Sequence, residues 1–427
     1  MKRVLIILIA VALAVPIFAN ASAPEPGLGN FVYTSNYSSG QFRDVGDSDW
    51  FGQYVADAYN FGFLRGKSEN VFDPGGLLTL GETVTLAARL RSIYFTGNAD
   101  FAESTPYYAA YTEYALLHGI IGGHDDYGAP VTRARFAELM HNALPPEAFP
   151  AKNVISDYGI NDVAPDTAAG AAVYVLYRAG ILAGSDRYGT FFEGSNITRA
   201  EACAVLVRIA DPNKRVNTLL PGYIPAEIIF QRRADAVFML EMFDGNGGSI
   251  RTGSGFFISA SGLAVTNLHV IENASRATLT LYNGEIYQMR GVHAVSEEFN
   301  LIIFSVEADD EGFSYLHLAD SDLVEAGSTV YALGSPRGLH NTMSEGIISH
   351  PSREVDSEKL IQFTAPISFG SGGSPLLNSL GQVVGVTSSS FSYGQNLNLA
   401  VPVNHIKTLE YMPMVTLISL LEQDAGQ

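Results

Sequence analysis

His269 closes a segment built to hold a side chain still. The run Thr252-Gly-Ser-Gly-Phe-Phe-Ile-Ser-Ala-Ser-Gly-Leu-Ala-Val-Thr-Asn-Leu-His-Val270 reads as a glycine turn, an apolar strand, a second turn and a strand ending in His269. An imidazole titrates near neutrality, so one fixed in this way suits general-base work. Such a base serves a serine nucleophile when an acid orients the ring and backbone N–H groups receive the oxyanion. Further along, Gly370-Ser-Gly-Gly-Ser-Pro375 offers two hydroxyls, Ser371 and Ser374. Its glycines leave the amides of Gly370 and Gly372 available as an oxyanion nest. A different chemistry is suggested by Thr132-Arg-Ala-Arg135 and Thr198-Arg-Ala-Glu201. Arg133 and Arg199 fall in a first helical turn, facing the positive end of the helix dipole, which is mildly unfavourable for a cation. With free backbone N–H groups beside them, they make an anion site.

The histidine segment resembles that of trypsin-like serine proteases of the Deg/HtrA type, through its Gly-Ser-Gly-Phe and Thr-Asn-x-His-Val signatures. The resemblance implies where the remaining catalytic positions fall. The family's aspartate falls on Asn300, in Glu297-Glu-Phe-Asn-Leu-Ile-Ile-Phe304. An amide hydrogen-bonds an imidazole but favours the wrong tautomer and does not stabilise the imidazolium. Glu298, on the same face of an extended strand as Asn300, is the candidate for partial substitution. The family's G-N-S-G-G-P-L aligns without gaps so that Gly370, Gly373 and Pro375 match and the nucleophile position falls on Gly372. Ser371 or Ser374 takes that role only if the loop is re-laid.

Tyr331 to Ser349 matches the family's G-x-P-x-G…G-I-I-S strand pair, and Asn396 to Pro402 resembles the end of its catalytic domain. The residues after Pro402 are too few for the PDZ domain that many relatives carry. Short apolar runs separated by Gly, Asn and Asp turns agree with an all-β, trypsin-like double β-barrel. The implied function is a serine endopeptidase family member with a degenerate triad and impaired or lost activity, acting on or binding peptide or unfolded protein. The alternative is an active surface endopeptidase using Ser371 or Ser374 with His269.

Before this region the chain repeats itself. Gly62-Phe-Leu-Arg-Gly66, Gly119-Ile-Ile-Gly-Gly123 and Gly180-Ile-Leu-Ala-Gly184 recur about sixty residues apart. Each follows an amphipathic helix, the first marked by Trp50, Tyr54 and Ala58 at i+4 spacing. The leading glycine of each pair suits a left-handed helix C-cap. A second helix then opens at Thr79, Thr132 and Thr198, with capping-box glutamates at Glu82 and Glu201. Arg135 stands where the second copy would carry its glutamate, which weakens that cap.

These motifs resemble the S-layer homology (SLH) repeat, whose pattern includes F-x-D-V, here Phe42-Arg-Asp-Val45, and T-R-A-E. The resemblance implies an all-α unit of three repeats that binds anionic, often pyruvylated, secondary cell-wall polymer. Arg133 and Arg199 map onto the family's ligand arginine, and Trp50 onto its aromatic helix. The first copy has Leu80 at the arginine position, for which Lys67 compensates.

The chain's 427 residues carry a net charge of −19, which argues against nucleic acid as a partner. Lys2 and Arg3, the apolar run Val4 to Phe18 and Ala19-Asn-Ala-Ser-Ala23 read as a secretory signal peptide, so a secreted, cell-surface protein is expected, with no membrane span after cleavage. One cysteine, Cys203, excludes an internal disulfide and reads as a buried, inert thiol. The histidines lack metal-ligand spacing, so neither metal nor cofactor is expected. The expected organisation is a signal peptide at 1–23, a flexible lead-in at 24–41 and SLH repeats at 42–100, 101–155 and 156–210. A linker at 211–223, a trypsin-like domain at 224–412 and a tail at 413–427 complete it.

Overall fold

The computed structural model describes residues 24–123, 126–307, 312–335, 341–388 and 397–424; the expected signal peptide lies outside them. The N-terminal part is helical. Its pairs are α1 (Gly52–Asn60) with α2 (Leu80–Thr96), α3 (Ala109–Leu117) with α4 (Arg133–Ala143), and α5 (Ala168–Arg178) with α6 (Arg199–Ala210). Gly62, Gly119 and Gly180 each follow a first helix at φ 73°, 68° and 73°, a left-handed conformation that favours glycine. Full capping boxes form at Thr79–Glu82 and Thr198–Glu201. At α4 the Thr132 hydroxyl still accepts from the Arg135 amide, 3.2 Å away.

The three second helices are stitched together by the extended segments before them. Leu77 bridges to Thr198, Thr79 to Pro130 and Thr132 to Asn196. The first two amides of each helix then donate to the loop of a neighbouring repeat. Arg133 N reaches Ser195 O at 2.8 Å and Ala134 N reaches Glu193 O at 3.1 Å. Arg199 N reaches Gly76 O at 2.8 Å and Ala200 N reaches Pro74 O at 3.0 Å. The backbone amides expected to be free at these helix starts are therefore occupied, because tertiary carbonyls have taken the donors.

Aromatic side chains fill the common core, among them Phe42, Phe72, Phe136, Tyr174, Tyr177 and Phe191, all fully buried. Cys203 lies among them, and burial pushes its thiol up to about 12, consistent with an inert group. Trp50 departs from expectation. It precedes α1 and is 62% exposed, while Val55 and Ala58 form the buried stripe.

The C-terminal part is two closed six-stranded antiparallel barrels. The first runs in the order β1 (Val237–Phe243), β2 (Ser249–Phe257), β3 (Leu263–Asn267), β6 (Leu301–Val306), β5 (Ile286–Ser296) and β4 (Arg276–Thr280). The second runs β10 (Pro375–Asn378), β11 (Val383–Ser388), β12 (Asn398–Pro402), β9 (Glu358–Phe363), β8 (Thr342–Val355) and β7 (Thr329–Gly334). Closure removes the free edges that an open sheet would present. Phe238, Phe257 and Phe304 pack in the first barrel, and Ile361, Phe363 and Leu376 in the second.

Helix α7 (Ala226–Arg233) leads into β1 and faces the helical module. Arg232 pairs with Asp186 at 2.7 Å, Arg233 Nη2 donates to Asn161 O at 3.0 Å, and Gln382 Nε2 donates to Ile160 O at 3.0 Å. The front of the segment expected as a linker also packs: Arg215 is buried and donates to Ala148 O at 2.7 Å.

Arg199 is 4% exposed. Its Nε donates to Phe72 O at 3.0 Å and its Nη2 to Arg65 O at 2.6 Å, and the guanidinium lies 4.8 Å from the Phe72 ring centre. Arg199→Ala removes a charged donor from two backbone carbonyls at once. It is expected to cost about 2 kcal/mol, lowering the melting midpoint by roughly 4–8 °C. An unchanged thermal melt followed by circular dichroism contradicts this assignment.

Candidate functional sites

The histidine site starts from strand register. β3 pairs with β6 so that Asn267 lies opposite Leu301, which sets residue 300 beside residues 268 and 269. His269 itself sits two residues past the strand, on the short helical turn Leu268–Ile271. Asn300 ends the turn that begins at Glu297, at φ 50°, a left-handed conformation that asparagine tolerates better than most residues. Its carbonyl accepts from Leu268 N and from Asn267 Nδ2, both at 3.1 Å. The residue is clamped before its side chain makes any contact.

That side chain makes two. Oδ1 accepts from the His269 main-chain N–H at 3.0 Å, and Nδ2 lies 2.8 Å from His269 Nδ1. The main-chain N–H is only ever a donor, so the amide must present oxygen to it and NH2 to the ring. Nδ1 is thereby forced to accept, and the ring proton resides on Nε2. Burial, the largest influence, pushes the imidazole's pKa below its ordinary value; the Asn300 hydrogen bond and Glu272 act against it, and Arg251 acts in the same direction as burial. In its neutral form the ring carries its proton on the nitrogen that faces away from Asn300.

The loop opposite is equally fixed. Ser254 Oγ donates to Gly370 O at 2.8 Å and Ser254 N to Gly372 O at 2.9 Å. Thr387 Oγ1 donates to Ser371 O at 2.6 Å. Gly370 and Gly373 adopt φ 93° and 85°. A Cβ on Gly373 would meet Thr266 Oγ1 at 2.1 Å and Ser254 O at 2.2 Å, so only glycine fits there.

A cleft of about 320 Å³ opens between loop and ring, lined by Arg251, His269, Phe369, Gly370 and Gly372 among others. Neither serine lines it. The Ser371 hydroxyl accepts from Ser368 N at 3.4 Å and the residue is 5% exposed. Ser374 is 1% exposed, and its hydroxyl faces Gly334, where an added Cβ would lie 1.9 Å away. His269 Nε2 is buried and has no hydrogen-bond partner among the described residues. The structure thus brings His269 and Asn300 together and holds Ser371 and Ser374 outside hydrogen-bonding reach of the ring.

Glu298 does not substitute for the missing acid. Residues 297–300 form a turn, so the alternation of an extended strand does not apply, and Glu298 lines another pocket with His405 and Glu358. Arg251 escaped the sequence reading. Its Nη1 donates to His269 O, and it stands just ahead of the glycine turn on β2, a proximity that was the one available signal.

In the helical module, a groove of about 390 Å³ is lined by Trp50, Arg133, Phe191, Glu201 and Arg208, among others. Arg133 donates to Phe191 O at 2.8 Å and Ser185 Oγ at 2.9 Å and pairs with Glu201. Arg208 was not anticipated; its Nη2 donates to Tyr54 OH at 2.9 Å. The other two expected polymer ligands lie elsewhere. Arg199 is buried, as described, and Lys67 pairs with Glu82 at 2.9 Å.

Paired barrels with a histidine held in the cleft define the trypsin-like peptidase architecture. Residues 253–386 match the trypsin-like peptidase domain, and residues 41–84 match the S-layer homology domain. The chain therefore carries an SLH domain towards its N-terminus and a trypsin-like peptidase domain towards its C-terminus. It is similar to the putative serine protease HhoB of Synechocystis sp., 36% identical over 159 residues, covering 36% of this chain and 38% of that protein. A probable periplasmic serine endoprotease DegP-like of Chlamydia trachomatis is 37% identical over 144 residues, covering 33% of this chain and 28% of that protein. Mitochondrial serine protease HTRA2 of Bos taurus is 32% identical over 191 residues, covering 42% of this chain and 41% of that protein. The chain spans about two fifths or less of the length of these relatives.

Replacing Asn300 by aspartate presents an anion to the ring where a neutral donor now stands. The His269 pKa is expected to rise by about one unit or more and the Nδ1–H tautomer to take over. Titration of the imidazole by NMR in both forms checks this; a pKa unmoved by Asn300→Asp contradicts it.

Proposed function

We propose that this chain is a secreted, surface-anchored protein whose trypsin-like, HtrA-type cleft binds peptide or unfolded protein with hydrolysis impaired or lost. One observation carries the reading. Gly372 lines the cleft beside His269, and the hydroxyls on either side of it are turned into the protein. Asn300 compounds the loss, because a serine in reach would still meet a nitrogen that already bears its proton. In the serine-protease example on which the triad is understood, the corresponding aspartate-to-asparagine change alone lowers turnover by about 10⁴.

Anchoring is assigned to the helical module. Its groove joins an exposed indole to two arginines and one glutamate, which suits an anionic polymer with sugar faces. The protein's net charge of −19 opposes attachment to an acidic wall at long range, so the local cations must carry it.

A fluorophosphonate probe tests the chemistry. The native chain is expected to stay unlabelled. Gly372 lies outside the left-handed region, so its backbone conformation does not itself demand glycine. Gly372→Ser with Asn300→Asp is expected to label, and Gly372→Ser alone to label slower by a factor on the order of 10⁴. Native labelling that disappears in Ser371→Ala or Ser374→Ala, together with His269→Ala, establishes the active endopeptidase instead. For anchoring, Arg133→Ala with Arg208→Ala is expected to release the protein from isolated walls; undiminished retention removes the groove from the account.

A further inference from the structure

We propose that the third repeat belongs to both modules. Its loop 185–193 lines the Arg133 groove on one face and docks the barrel module on the other, so that helices and barrels unfold as one cooperative unit. This is independent of what the groove and the cleft bind. Tandem modules joined by a modest polar seam ordinarily move independently. Here a single short loop carries contacts of both kinds. On the groove face it supplies Ser185 and Phe191 to the lining. Arg133 donates to both, and Ala134 N reaches Glu193 O at 3.1 Å. On the other face Asp186 pairs with Arg232 at 2.7 Å, and Nη1 of the same guanidinium donates to Thr190 Oγ1 at 2.8 Å. Glu193 Oε1 accepts from Tyr315 OH at 2.6 Å. Tyr188 packs against the apolar cluster to which both barrels contribute.

Little slack lies between the two faces. Asp186 Oδ1 accepts from Tyr188 N and Thr190 N at 2.9 and 3.0 Å. The Asp162 carboxylate accepts from Phe191 N and Phe192 N at 2.9 and 2.6 Å. Hydrogen bonds to an ionised acceptor are the stronger kind, so a displacement of one face carries the other with it.

The grip extends to three elements of the barrel module. The first is α7, through Arg232 and through Arg233, whose Nη2 donates to Asn161 O. The second is the connection between the barrels, where Tyr315 lies. Its neighbour Leu316 N donates to Phe257 O in the first barrel at 2.9 Å, and Ala319 N to Val383 O in the second at 2.8 Å. The third is the turn before β11, where buried Gln382 donates through Nε2 to Tyr158 O and Ile160 O at 3.1 and 3.0 Å.

At its far side the third repeat is tied to the first. One apolar cluster runs through all three repeats, and Arg208 on α6 donates to Tyr54 OH on α1. Unfolding that begins in a barrel therefore has a continuous packed route to the opposite end of the molecule.

Trp50 is the chain's one tryptophan and stands in the first repeat, so its fluorescence reports the helical module and not the barrels. The test uses the full chain. Phe238→Ala opens a cavity in the first barrel. The thermal midpoint read from Trp50 is expected to fall by about 5 °C or more, together with the midpoint read from far-UV circular dichroism. Ile302→Val removes less from the same core and serves where the larger change prevents folding; both midpoints are again expected to fall together. A Trp50 midpoint that stays in place while the circular dichroism midpoint falls overturns the inference. Adding Arg232→Ala and Gln382→Ala to Ile302→Val cuts the seam without touching the groove and is expected to separate the two midpoints. Midpoints that still fall together overturn the assignment of the coupling to this seam.

Discussion

One amide side chain, wedged between a main-chain N–H and an imidazole, selects the ring nitrogen of His269 that carries the proton in the neutral form. An aspartate in that place would accept from both neighbours. An asparagine cannot, because its two ends differ, and the main-chain donor claims the oxygen at 3.0 Å. The ring then receives NH2 and must protonate on its far side. Strand register delivers the two residues to each other, and the left-handed turn at Asn300 fixes the aim.

The two modules handle charge in related ways. In each module the arginine beside the candidate site is held: Arg133 by Glu201 and by oxygens of the third repeat, and Arg251 by the His269 carbonyl. Arginine suits this use because its fork satisfies fixed oxygens and still presents donors. Within a chain of net charge −19, such held cations give local positive potential without reversing the overall sign. Contacts such as Gln382 to Ile160 and Arg232 to Asp186 join the third repeat directly to the barrels and to the helix that leads into them.

Much of the architecture was legible because it rests on local rules. Left-handed glycines ended the first helices, threonine caps opened the second ones, and short apolar runs marked the strands. In the loop around residue 372, Gly373 is crowded so closely that only glycine fits there. What failed depended on distant partners. Helix-start amides looked free because their acceptors lie 46 residues or more away in sequence, in neighbouring repeats. Arg199 looked like a ligand arginine for the same reason, its carbonyl partners being far off at Phe72 and Arg65. Trp50 fitted a helical period yet fell before the helix began. Glu298 was judged by strand alternation that a turn suspends, and Arg208 and Arg251 acquire meaning only in three dimensions.

The most direct measurement is the protonation pattern of one ring. Long-range nitrogen–proton correlation on the imidazole of His269, at a pH where it is neutral, distinguishes its two tautomers. The account predicts a protonated Nε2 and an unprotonated Nδ1 in the native chain. A proton found on Nδ1 contradicts it, because the ring would then present a free base to the cleft.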